Sequence, residues 1–201
     1  MKIGIMGGTF DPIHNGHLHL ARTALTQFDL DQIWFMPNGM PPHKKQSSIE
    51  SDIHERIAMT RIAIKANKQF YLQEYEAKRE KVSYSYKTME HFRKIYPDDE
   101  FYFIIGADSL MAIETWVHPE RIFPTCTILA TYRNEVKTKE EMNRQIQYLS
   151  EKYHAKIRLL ETPLMPVSSH ELRASLQSGD SVSEYMPAAV CSYIKQHHLY
   201  R

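Results

Sequence analysis

The sequence predicts an α/β protein: an open, doubly wound, mostly parallel sheet flanked by helices. Three observations predict it. Short apolar or β-branched runs alternate with amphipathic stretches along the whole chain. Two of these runs, "KIGIM" and "EFYFII", pass straight into glycine, so loops open directly from strand ends. The 201 residues, 42% of them apolar and 24% charged, suffice for one core without staples. The expected organisation is therefore a single domain over 1–201, with a small helical part from about residue 167.

The elements follow in order. "KIGIM" (2–6) is a short apolar run closed by two glycines, a buried strand. Ala21, Ala24, Leu25 and Phe28 fall at i, i+3, i+4 and i+7, one face of a helix beginning near Gly16. "QIWFMP" (32–37) is a second strand with Trp34 in the core. The prolines and lysines of "NGMPPHKKQSS" then enforce a loop. Ser51 is a candidate cap for a helix over roughly 52–66, with Ile53, Ile57 and Ile64 facing inward. "QFYLQ" (69–73) is a third strand, and "KVSYSYKTMEHFRKIYP" a loop entering a helix that ends before Pro97. "EFYFIIGAD" (100–108) has the strongest strand composition in the chain. "TCTILATY" (125–132), a charged helix near 138–153, a strand at "KIRLL" (156–160) and helices around 169–177 and 187–197 complete the chain.

Charge and cysteine content narrow the function. Twenty-five basic residues against 24 acidic ones leave a net charge of +1, which supports neither a nucleic-acid nor a membrane-surface partner. Cys126 and Cys191 stand far apart among apolar residues and read as buried, reduced thiols. The first residues have too short an apolar run for a signal peptide, and no stretch has the length of a membrane span, so the cytoplasm is the expected compartment.

The first strand's exit, "GGTFDPIHNGH" (7–17), carries the chemistry. It is neither a GxxxxGK[ST] phosphate loop nor a GxGxxG dinucleotide fingerprint. Even so, Gly7 and Gly8 allow close backbone approach, and a helix start near Gly16 offers amide donors and a positive dipole end to an anion. His14 and His17, three apart, can lie on one side of that start and donate to phosphate oxygens, whereas His19 turns away. Asp11, before Pro12, is expected to bond local backbone amides. A tight turn with no ligand, or a metal chelated by HxxH, are the competing readings, although no neighbouring carboxylate completes a metal site.

Taken with later segments, the stretch resembles one family. "GGTFDPIHNGH" is similar to the GGTFDPxHxGH signature of bacterial nicotinate mononucleotide adenylyltransferases, members of the [HT]xGH nucleotidyltransferase superfamily. "PNGMPPHK" (37–44), "SYSYKTM" (83–89), "FIIGADSL" with Trp116, "VSSHELR" (167–173) and "YIKQHHLY" (193–200) resemble the family's other blocks, in order and across nearly the whole chain. The resemblance implies a Rossmann-like fold of the nucleotidyltransferase type. The implied substrates are ATP, bringing Mg²⁺, and nicotinate mononucleotide; a homo-oligomer stays open.

By the same resemblance, His14, His17, Lys44 and Arg173 are the catalytic groups. Gly7, Gly8, Thr9, Phe10, Gly106, Asp108, Ser168 and Ser169 bind ATP, and Lys44, Ser85, Trp116 and Val117 bind the mononucleotide. His170 and Ser85 stand where relatives usually have threonine. The residues themselves leave plainer alternatives open: helix capping for the serines and for Asp108, and a solvated surface lysine at 44.

Overall fold

The computed structural model describes residues 1–39, 49–79, 82–132, 139–162 and 167–201. Its strands are β1 (Lys2–Gly8), β2 (Gln32–Pro37), β3 (Phe70–Leu72), β4 (Glu100–Gly106), β5 (Thr127–Tyr132) and β6 (Ile157–Glu161). The helices are α1 (Asn15–Phe28), α2 (Ile53–Ile64), α3 (Ser85–Ile95), α4 (Ala107–Met111), α5 (Lys139–Tyr153), α6 (Ser169–Gln177) and α7 (Ala188–Gln196). Three single 3-10 turns link α4 to β5.

The strands form one six-stranded sheet in the order β3-β2-β1-β4-β5-β6. The pairs β1–β4, β4–β5 and β5–β6 are parallel, with Ile3 opposite Phe101 and Ile5 opposite Phe103. After β1 the chain builds outward through β2 and β3, then returns to β4 and builds the other way. The order therefore switches beside β1, where α/β sheets of this type open a crevice at their carboxyl ends.

Two compact units are made from interleaved segments. The first comprises Met1–Gly7, Thr23–Ile33 and Tyr84–Leu164. Ile3, Ile5, Ile128, Leu129, Ala130 and Leu160 are buried along its strands, as are Met142 and Leu149 of α5, which packs against β6 and α4. Gly4 is closely approached: a Cβ there would lie 2.4 Å from Ile33 Cδ1, so the Ile33 side chain would have to move. Cys126 is buried in this unit, and desolvation pushes its thiol up to about 12, so it stays protonated and inert.

The second unit comprises Gly8–Arg22, Trp34–Ser83 and Met165–Arg201. Phe10, Ile13, Phe35, Met36, Met59 and Val190 form its core, and α7 packs on α2. Here α2 departs from expectation. Its cap is Asp52, not Ser51: the Asp52 carboxylate accepts from His54 N at 2.7 Å and Glu55 N at 3.1 Å, while Ser51 is buried. Its buried face is Arg56, Met59, Thr60, Ala63 and Ile64, with Ile53 and Ile57 only half-buried. An arginine on the inner face hid this register from any apolar periodicity. Cys191 is also half-exposed rather than buried.

Candidate active site

The exit of β1 is shaped by what its glycines allow. A Cβ on Gly8 would lie 2.8 Å from the Phe10 ring, and one on Gly16 would lie 2.9 Å from His14 Nδ1. Phe10 itself takes a left-handed backbone (φ 50) and is fully buried. Its ring meets His17 edge-on at 5.0 Å, so it braces the loop from beneath. His14 and His17 stack, with ring centroids 3.7 Å apart. The His14 backbone N–H donates to His17 Nδ1 at 3.2 Å. With Nδ1 accepting, a neutral His17 carries its proton on Nε2.

At the start of α1, the Asn15 N–H bonds the Tyr185 carbonyl at 2.7 Å, and the His17 N–H bonds the His14 carbonyl at 3.0 Å. Those two amides are thus engaged within the fold. Gly7 is exposed, and Thr9, Gly16 and His17 are half-buried.

Asp11 corrects one expectation. Its carboxylate is held by remote groups, not local amides: Oδ2 accepts from Glu50 N at 2.8 Å, and Oδ1 from Ser51 N at 3.2 Å and Tyr200 Oη at 2.6 Å. The loop's carbonyls are taken up in the same way. Arg56 Nη1 donates to Thr9 O and Asn38 O, each at 2.8 Å. Ser169 Oγ donates to Pro12 O at 2.9 Å, and Arg173 Nη1 to Asp11 O at 2.8 Å. Burial lowers the Arg56 guanidinium below the usual arginine range, while the Asp11 carboxylate opposes the shift.

Arg173 is therefore brought to the loop that carries the stacked histidines. Its Nε also binds Glu50 Oε1 at 2.8 Å, and Glu50 Oε2 accepts from Gln177 Nε2 at 3.1 Å. Ser168 caps α6: its Oγ accepts from Glu171 N at 3.2 Å and donates to Glu171 Oε2 at 2.6 Å. Lys44 falls within 40–48, outside the described residues. Asp11, Arg56 and Tyr200 were not among the candidates. A buried arginine in α2 and a tyrosine six residues beyond Ile194, the last buried position of α7, carry no local signal.

The first unit holds the remaining candidates. Gly106 ends β4 and occupies the cap position of α4, and a Cβ there would meet nothing within 4 Å. Asp108 is exposed in the first turn of α4, so it does not cap that helix. Ser85 opens α3, whose cap residue Tyr84 makes no side-chain cap bond. Trp116 is half-buried, its indole edge-on to Phe103 at 6.4 Å, and Val117 beside it is exposed.

A sheet of order 3-2-1-4-5-6 is the doubly wound α/β arrangement in which nucleotides bind beside the switch in strand order. The chain belongs to the cytidylyltransferase-like family, whose model matches residues 5–175. It is 41% identical over 203 residues to the probable nicotinate-nucleotide adenylyltransferase of Clostridium kluyveri, covering 100% of both chains. It is 43% identical over 199 residues to that of Lachnoclostridium phytofermentans, covering 99% of this chain and 98% of the other. Within the family it belongs with these nicotinate-nucleotide adenylyltransferases. The fold is that of a Plasmodium falciparum nicotinic acid mononucleotide adenylyltransferase solved with NaAD, at a TM-score of 0.81 and 21% identity over 99% of this chain and 97% of that one.

Proposed function

We infer that the phosphate chemistry of a nicotinate mononucleotide adenylyltransferase falls, in this chain, to His14, His17 and Arg173. The reaction moves the adenylyl group of ATP onto the mononucleotide phosphate, giving nicotinate adenine dinucleotide and pyrophosphate. One observation carries the residue assignment: Arg173 bonds the Asp11 carbonyl across 162 positions, on the loop where His14 and His17 stack.

The chemistry needs little acid–base work. A phosphate monoester, with a second pKa of about 6, is already largely dianionic at neutral pH, so the nucleophile needs no base. The protein must place the two phosphates and stabilise charge as the α-phosphorus is attacked and pyrophosphate leaves. An imidazole N–H of His17 suits a developing phosphate charge, and a guanidinium matches two phosphate oxygens at once. Thr9 and the Gly7–Gly8 backbone line the same approach. Ser168 and Ser169, bonded to Glu171 and Pro12, serve by setting where Arg173 lies. Phe10 contributes backbone and support from below. Lys44 is carried by the family resemblance, for phosphate neutralisation.

On the first unit, Gly106 and Asp108 are assigned to the adenosine ribose, an exposed carboxylate being a ready acceptor for its hydroxyls. Trp116 is assigned to the cationic pyridine ring, which an indole face attracts. The amides near Ser85 and Val117 are assigned to the nicotinate carboxylate; α3 supports this with a first turn lacking a side-chain cap. Mg²⁺ enters on ATP, as it commonly does on phosphates.

Among the described residues no helix is long and apolar enough to cross a membrane, and we place the reaction in the cytoplasm, where its nucleotides are. We also read 1–201 as one nucleotidyltransferase domain with a helical part from about 167, supported by a family match that runs unbroken through segments of both units.

The test is pyrophosphate release from ATP with nicotinate mononucleotide, nicotinamide mononucleotide and phosphopantetheine as acceptors. The first should turn over fastest. Equal rates with the first two would remove the acid preference, and no release with any acceptor would leave a nucleotide-binding protein without transferase activity.

A further inference from the structure

We infer that Tyr200 is a positioning residue for the phosphate loop, acting through the Asp11 carboxylate. The inference rests on the functional reading above and extends it to a residue that reading does not use. Asp11 lies three positions ahead of His14, and its own carbonyl receives Arg173 Nη1. Whatever orients Asp11 therefore acts on two parts of the proposed cradle at once.

The Asp11 carboxylate is 2% exposed and takes three donors. Two are backbone amides at the entry to α2, from Glu50 and Ser51, and the third is the Tyr200 hydroxyl, the shortest of the three at 2.6 Å. A buried carboxylate with donors aimed at both oxygens has its orientation settled. Removing the shortest, charge-assisted bond leaves one oxygen with a single long partner. Tyr200 is itself only 7% exposed, and burial together with the Asp11 charge pushes its phenol far above the usual tyrosine range. It is thus a hydrogen donor at every pH where the enzyme would work.

The backbone agrees with this role. His198 and Tyr200 both lie in the left-handed region, at φ 57 and 56. Residues with a Cβ rarely adopt it, and they cluster where surrounding contacts demand a particular placement. The segment after α7 turns twice in this way and delivers the phenol to Asp11, while α7 packs on α2. Burial of the ring would be satisfied by phenylalanine. The hydroxyl is the part that packing does not need.

The test compares Tyr200→Phe with Tyr193→Phe, a control whose ring stacks on His197 in the same C-terminal region. Tyr200→Phe should lower kcat/KM for ATP about tenfold, the scale of one hydrogen bond to a charged group. KM for the mononucleotide should stay within twofold, and the melting temperature close to that of the control. Added to Asp11→Asn, Tyr200→Phe should cost less than a further twofold. Wild-type kinetics in Tyr200→Phe, an equal loss in the control, or full additivity with Asp11→Asn would each overturn the inference. Binding of tripolyphosphate, which has nothing to transfer, reads the loop independently of turnover. A weaker Kd in Tyr200→Phe supports the role, and an unchanged or absent affinity defeats it. An inactive wild type that still binds tripolyphosphate in a Tyr200-dependent way would sink the transferase reading alone.

Discussion

At the residue scale, His17 is the group on which most rests. Its Nδ1 is taken by the His14 amide and its ring is clamped between His14 and the Phe10 edge. This leaves an imidazole whose ring position is set before any charge develops. A preorganised donor of that kind is worth about 10²–10³ in turnover. His17→Ala should therefore lower kcat by about that factor in the pyrophosphate-release assay, while a variant within threefold of wild type would take His17 out of the mechanism. Individual residues were legible where short-range chemistry decides them. Ser168 before Glu171 reads as a cap and is one, and Trp34 inside an apolar run is buried. Asp11 was not legible, because its partners lie 39, 40 and 189 positions away. A neighbouring proline suggests a self-contained turn, and nothing local reveals that three distant donors converge there.

Elements show the same boundary between local and remote causes. The strands and most helices lie within a residue or two of where alternation and glycine or proline signals put them, because those signals act along the backbone itself. The entry to α2 differs. "SSIESD" offers several capping residues in a row, and which one caps depends on where Ser51 is already committed: its amide goes to Asp11 and its side chain is buried. Asp52 is left to take the two first-turn amides. Asp52→Ala should then destabilise the protein by about 1 kcal/mol, which for a chain of this size lowers the melting temperature by about 2–4 °C. Thermal denaturation checks the assignment: an Asp52→Ala variant that melts with wild type would remove Asp52 as the cap.

For the whole molecule, the alternation of strand and helix established a parallel sheet, yet not its order. The sequence of β1, β2 and β3 to one side and β4, β5 and β6 to the other is set by crossovers between distant segments, and no window of residues reports it. The same holds for the meeting of α6 and the C-terminal tyrosine with the first loop. The question of the ion belongs at this scale too. The chain has 11 histidines and 24 acidic residues, but among the described residues no three His, Cys, Asp or Glu side chains gather to hold a metal. On the functional reading proposed above, Mg²⁺ would be held by the phosphates of ATP rather than by a site of the protein. A ligand bound only by the native fold raises the melting temperature, whereas one that travels with substrate contributes nothing in its absence. EDTA should consequently stop pyrophosphate release while leaving the melting temperature of the substrate-free protein unchanged, and Mg²⁺ in excess should restore the rate. A melting temperature that falls by several degrees in EDTA and recovers with Zn²⁺ would mean that the histidines hold a structural metal, and the phosphate cradle would lose the residues on which it is built.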